Sequence, residues 1–165
     1  MTNKIDKFFG EYRWLSNFHL CDIEYEGIVY PSTEHAYQAA KVSDPEIRKQ
    51  CLGMSCKEVK RWGRTLREDL DYLDKTKNIH LNRTLPADWD TGPILEQKRV
   101  RVMWDVCWYK FNKHADLKEK LLATGDAELI EGNSWGDKFW GVCNGGENML
   151  GKILMQIRED IRNDG

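Results

Sequence analysis

A chain of 165 residues with 41% hydrophobic and 32% charged side chains has the size and balance of one folded domain, which excludes a disordered or membrane protein. Its 25 basic and 27 acidic residues leave a formal charge of -2, too even for tight, non-specific nucleic-acid binding. A small or locally recognised substrate, met by a monomer, fits better.

The run Phe8-Phe9-Gly10-Glu11-Tyr12-Arg13-Trp14-Leu15-Ser16-Asn17-Phe18 is dense in aromatics without a clean period, and reads as a structured segment with Ser16-Asn17 as its polar point. Cys21 to Tyr25 alternates, Glu26-Gly27 supplies turn chemistry, and Ile28-Val29-Tyr30 resumes the strand pattern, which predicts a short hairpin. Tyr30-Pro31-Ser32-Thr33-Glu34 then starts a helix, with Ser32 or Thr33 as the cap. On it Glu34, Gln38 and Lys41 fall at i, i+4 and i+7 with Tyr37 beside them, while Ala36, Ala39 and Ala40 line the inward side. That polar stripe is either part of a site or an ordinary wet surface.

Pro45 starts a second helix to about Leu52, and Ser55 caps a third that Gly63-Arg64 should end after Trp62. From Thr65 to Pro93 the pattern is weak. A core helix follows from Ile94 to Asn112, with Leu95, Arg99, Val102, Met103, Val106 and Lys110 on one face. Ala115 to Thr124 reads as another helix, stopped by Gly125, and Glu128 to Glu131 as a short strand. Ser134 to Gly146 has too many glycines and aromatics for a regular element. Leu150, Ile153, Leu154, Ile157 and Ile161 mark a last helix from about Asn148 to Arg162. Helices outnumber short, scattered strands, so the fold class is helix-rich α+β, in one domain over 1–165.

Five cysteines, odd in number and without a C-x-x-C pair, point to reduced thiols. Four histidines show no ligand spacing, so no structural zinc, metal or cofactor is expected. Residues 1–7 lack the apolar core of a signal peptide, and a cytosolic location is the expectation. Seven tryptophans call for a large core or a stacking site; Trp62, Trp104 and Trp108 sit on helical patterns and read as core, and Trp14 fits either role.

Two carboxylates and several indoles suit one reaction class. Cleaving a ribose carbon from a base nitrogen passes through a sugar cation, which a carboxylate stabilises while an acid or base serves the leaving group and water; tryptophan faces hold the base. Glu34 and Asp137 would be those carboxylates. Plainer roles compete: Glu34 in a first turn is favoured by the helix dipole, and Asp137 between glycines holds a turn. Gly146-Glu147-Asn148-Met149-Leu150-Gly151-Lys152 has Walker A spacing, but Ile153 stands where Ser or Thr would hold magnesium; it reads as a helix cap rather than a phosphate cradle.

The succession Trp14-Leu15-Ser16-Asn17-Phe18, Tyr30 to Lys41, Gly63-Arg64, Lys110-Phe111, Leu121 to Gly125, Asp137-Lys138-Phe139-Trp140-Gly141 and Asn148-Met149-Leu150-Gly151-Lys152 resembles the ordered motifs of the NADAR family. The resemblance implies a compact, mainly helical fold and cleavage of ribose C1–N bonds, in phosphoribosylated riboflavin intermediates or in ADP-ribose attached to guanine, with no cofactor. Carried over by position, it makes Glu34 and Asp137 the acidic pair, Trp140 a stacking wall, and Asn17, Gln38 and Arg64 ribose or phosphate contacts. Lys41 becomes a covalent partner for an opened ribose aldehyde, which would require a depressed amine pKa. The family's aspartate-tryptophan pair is missing at Asp69-Leu70; Asp88-Trp89, across an apparent insertion, supplies the matching indole. The rival readings are a nucleotide or ADP-ribose binding module without turnover and a protein interaction domain; the latter needs an exposed apolar patch that this composition does not suggest.

Overall fold

The computed structural model describes residues 3–64, 66, 85–86 and 88–164. In chain order these form β1 (Lys4–Ile5), a 3-10 turn (Gly10–Leu15), β2 (Ile23–Tyr25), β3 (Ile28–Tyr30), α1 (Thr33–Ala39), α2 (Pro45–Lys49), α3 (56–64), a second 3-10 turn (Ile94–Glu96), α4 (Lys98–Lys113), α5 (Ala115–Ala123), β4 (Glu128–Leu129) and α6 (Met149–Asp164). The class is α+β and helix-rich. Most of the expected insertion after Arg64, including Arg67 to Leu70, lies outside the described residues. Among those described, no helix is long and apolar enough to cross a membrane.

The chain divides into two compact units, Met1–His19 with Cys107–Gly165, and Leu20–Val106. In the second unit β2 and β3 form the expected antiparallel hairpin, with Ile23 opposite Tyr30. Its turn places Glu26 at φ 47 and Gly27 at φ 86. Arg48 of α2 pins this turn: it is buried, donates through Nε to Val42 O at 2.7 Å, and reaches Glu26 at 3.0 Å. The hairpin therefore delivers the chain to α1 along a fixed path.

Ser55 and Glu58 close a capping box on α3, each side chain accepting the other's backbone N–H. Contrary to the sequence reading, α3 does not end at Trp62 but runs through Gly63 and Arg64. Gly63 is there for a close contact, not as a stop. Likewise α4 begins at Lys98 rather than Ile94: Gln97 is extended, and its side chain caps Gly92 O at 2.9 Å. This breaks the helical register, so Leu95, read as part of the core face, is 76% exposed. Trp62, Trp104 and Trp108 are half-buried rather than core, whereas Trp89 is buried.

In the first unit β1 pairs in parallel with β4, a pairing no local pattern announces. The stripe Leu150, Ile153, Leu154, Ile157 and Ile161 of α6 is buried as its spacing requires. Trp14 is core as well, edge-on to Phe111 of α4 at 6.2 Å.

Candidate active site

Ser32 is the cap of α1. Its Oγ accepts the His35 N–H at 3.1 Å and meets His35 Nδ1 at 2.6 Å, while His35 Nε2 lies 2.7 Å from Met54 O. A carbonyl only accepts, so the ring proton sits on Nε2 and Nδ1 accepts from the serine hydroxyl. Burial pushes the His35 pKa below 6.5, which keeps the ring neutral. His35 thus fastens the start of α1 to the 54–56 segment.

That fastening holds a helix buried on every side. All seven residues of α1 are buried, the polar ones included, with Glu34 7% and Gln38 6% exposed. The stripe is therefore not a wet surface. Gln38 Nε2 donates to Glu34 Oε1 at 3.1 Å, and Gln38 Oε1 is buried without a hydrogen-bond partner. An unpaired buried acceptor costs about 1–3 kcal/mol. The amide is seated against Gly63, where a Cβ would lie 1.9 Å from Oε1.

Lys41 falls just beyond α1, which ends at Ala39, so it does not continue the helical stripe as its spacing suggested. Its Nζ still returns to the same place: it lies 3.4 Å from Gly63 O and 5.8 Å from the Tyr37 ring. Trp89 packs on the other aromatic contact, its ring 5.5 Å from Tyr37 at a 44° tilt. Glu34, Gln38, Lys41 and Trp89 are thus gathered around Tyr37 and Gly63. Arg64, next to Gly63, is exposed. The sequence reading took Gly63 as a helix stop and a family motif, and missed that it makes room for the Gln38 amide.

In the other unit Asp137 organises its loop. Its Oδ1 accepts the N–H groups of Phe139 at 3.2 Å and Trp140 at 2.9 Å, so the turn-holding role is real and uses one carboxylate oxygen. Asn133 grips the same residue, accepting Asp137 N–H at 3.0 Å and donating to Asp137 O at 2.9 Å. Asn133, four residues earlier, was another partner left out of the sequence reading.

The start of α6 secures the loop from behind. Glu147, Asn148, Met149 and Leu150 donate their N–H groups to the carbonyls of Lys138, Gly141, Phe139 and Trp140. These groups face protein, so the Walker-like run is a cap and not a phosphate cradle. Trp140, half-buried, stands edge-on to Phe139 at 4.8 Å with its backbone held on both sides. Asn148, at φ 51, bridges Leu129 O and Glu131 N–H. Gly151 leaves room for this bridge, since a Cβ there would lie 2.1 Å from Leu129 O.

Asn17, in the same unit, is half-buried, and its Oδ1 lies 3.9 Å from Cys107 Sγ of α4. Among the described residues, no three His, Cys, Asp or Glu side chains gather as a metal site would require.

Residues 6–162 match the family model for the NADAR domain, and the chain belongs to this family. It is 32% identical to N-glycosidase YbiA of Escherichia coli (strain K12), over 98% of this chain and 91% of that protein. It is 33% identical to N-glycosidase Npun_R5314 of Nostoc punctiforme, over 99% and 94%. A Vibrio vulnificus protein named riboflavin biosynthesis protein VVA0006 shares 33% identity over 90% of this chain, which spans only 35% of that protein. The NMR structure of E. coli YbiA superposes with a TM-score of 0.74 at 30% identity, covering 99% of this chain and 88% of that one.

Proposed function

We propose that this enzyme, a hydrolase of N-glycosyl bonds, cleaves the ribose C1–N bond of a nucleotide-like substrate, either a phosphoribosylated riboflavin-pathway intermediate or ADP-ribose attached to guanine. The observation that carries the reading is the buried Glu34–Gln38 pair beside the Lys41 amine. A carboxylate withdrawn from water, in a site of lowered dielectric, stabilises a nearby sugar cation far more than an exposed one does. The name of the Vibrio relative, a riboflavin biosynthesis protein, supports the riboflavin-type substrate over the guanine one.

In this scheme the C1–N electron pair leaves with the base nitrogen, which takes up a proton. Water attacks C1 and gives its proton to a carboxylate. Glu34 stabilises the cation and aligns that water, Asp137 is its acidic partner, and Trp140 and Trp89 hold the base. Gln38, Asn17 and Arg64 contact ribose or phosphate. If the ribose opens to its aldehyde, Lys41 condenses with it to an imine and releases water. The cysteines, none of them in a disulfide among the described residues, suit a reducing cytosol.

The test is purified protein incubated separately with a phosphoribosylaminopyrimidine and an ADP-ribosylated guanine oligonucleotide, with mass spectrometry of the products. Release of free base or ribose phosphate from the first, or of ADP-ribose from the second, assigns the substrate. Binding without product in either would replace this reading with a non-catalytic nucleotide-binding module. Glu34→Gln should abolish release while the protein stays folded; undiminished turnover would remove Glu34 from the chemistry.

A further inference from the structure

Lys110 is the least expected buried side chain of the first unit. It is 1% exposed, and a lysine ammonium withdrawn from water is unfavourable unless its donors are matched. It donates to the backbone carbonyl of Ser16 at 2.9 Å. That carbonyl also accepts the His19 N–H at 3.1 Å, and the Ser16 hydroxyl accepts the Phe18 N–H at 3.1 Å. The turn that carries Asn17 is therefore closed by one backbone bond, one bond to the serine hydroxyl and one buried cation.

A peptide unit is planar, so fixing the Ser16 carbonyl also fixes the position of the Asn17 Cα. Cys107, one turn before Lys110 on α4, approaches the Asn17 side-chain oxygen itself. One helix thus grips Asn17 through its backbone and through its amide. From this we propose that Lys110 is a positioning residue: it presents the Asn17 amide to the substrate ribose or phosphate without touching substrate itself. The inference rests on the reading of Asn17 as a substrate contact.

Asn17→Ala, Lys110→Met and the double variant test it by steady-state kinetics on whichever substrate is turned over. Each single change should raise KM about tenfold with kcat within about threefold, as loss of a contact made equally in ground and transition states does. The double variant should be no worse than Asn17→Ala alone, because Lys110 acts through that residue. Lys110→Arg, which retains a cationic donor, should recover part of the loss. A purely structural lysine would instead lower the active fraction, and so apparent kcat, at unchanged KM; that result overturns the proposal, as does full additivity in the double variant. If Asn17→Ala shifts KM and Lys110→Met does not, the positioning role fails while the Asn17 contact stands. An unchanged KM in Asn17→Ala removes both. Should Lys110→Met fail to fold, the wild-type protein supplies the measurement: a slowly exchanging Lys110 ammonium signal coupled to the Ser16 carbonyl carbon is expected by NMR, and its absence overturns the proposal.

Discussion

The side-chain amide of Gln38 fills the space that any residue other than glycine at position 63 would need for its Cβ, which would come within 1.9 Å of Gln38 Oε1. Gly63 lies inside α3, where glycine is less favourable than alanine by about 1 kcal/mol. The glycine is therefore kept against local preference, by the amide that holds Glu34.

This relationship predicts a change of sign. Gly63→Ala should destabilise the protein by about 1–3 kcal/mol through overpacking and reduce turnover at least about tenfold by displacing Gln38 from Glu34. In a Gln38→Ala background the clash is gone, and the same Gly63→Ala change should stabilise by up to about 1 kcal/mol. Denaturant unfolding of the four proteins, with turnover on the wild type and Gly63→Ala, decides it; a destabilisation that persists without Gln38 would refute the account.

Asp137 both organises its loop and carries the proposed acid–base role, and two substitutions separate these. Asn at 137 keeps an Oδ1 to accept the Phe139 and Trp140 N–H groups, so Asp137→Asn should alter stability by less than about 1 kcal/mol while lowering turnover on the order of a hundredfold. Asp137→Ala should lose the same activity and about 1–3 kcal/mol of stability besides, because two donors lose their acceptor. Full turnover in Asp137→Asn would reduce the residue to a turn former.

Acid should loosen the fold through its histidines. The His35 pKa is pushed below 6.5 by burial, and that of His19 is lowered by burial and then by Lys110 and Lys120. Well above pH 6.5, from about pH 7 upward, these rings are neutral folded and unfolded alike, and their contribution is fully present. Below it the unfolded chain takes up protons that the native rings resist, so stability falls with pH, by at most about 1.4 kcal/mol per pH unit for each ring, until the native pKa is passed. Urea unfolding at pH 8, 7, 6 and 5 should show a plateau above about 7 and a decline below 6.5, with His35 reporting an Nε2–H tautomer by NMR at pH 7. A midpoint that rises on acidification would contradict this.

The Asn148 bridge is the remaining single point of failure. Asn148→Ala removes hydrogen bonds from the buried Leu129 carbonyl and the half-buried Glu131 N–H and leaves a Cβ residue at φ 51, for an expected loss of about 3 kcal/mol. Asn148→Gly relieves only the backbone and should recover about 1 kcal/mol. Equal stability of all three proteins would show the bridge to be idle.

Much of this was legible in the residues. Pro31-Ser32 named the cap, Glu26-Gly27 the hairpin turn, and the i, i+3, i+4 spacing of α6 its buried face. Periodicity could not say that the opposite, polar side of α1 is buried too, because a repeat identifies a shared face and not what covers it. Lys41 reaches its neighbours through a turn beyond the helix, so its i+7 spacing gave the right company for the wrong reason. Gly63 obeyed the rule for a helix stop and broke it, since a close contact favours glycine as strongly as a left-handed turn does. The pairing of β1 with β4 joins residues far apart in the chain, where no local signal exists. Leu95 was misplaced by one extended residue, Gln97, which shifted the register of everything before it.

Four backbone bonds tie the carbonyls of residues 138–141 to the start of α6. A loop anchored in this way makes a poor lid: swinging over a bound molecule would require all four bonds to break together. If Trp140 holds the base as proposed, it does so as a fixed jaw, ready before the ligand arrives, and its share of recognition should be lock-and-key in rate as well as in shape. Changes of substrate range within such a frame would come from exchanging the side chain at position 140 rather than from lengthening the loop.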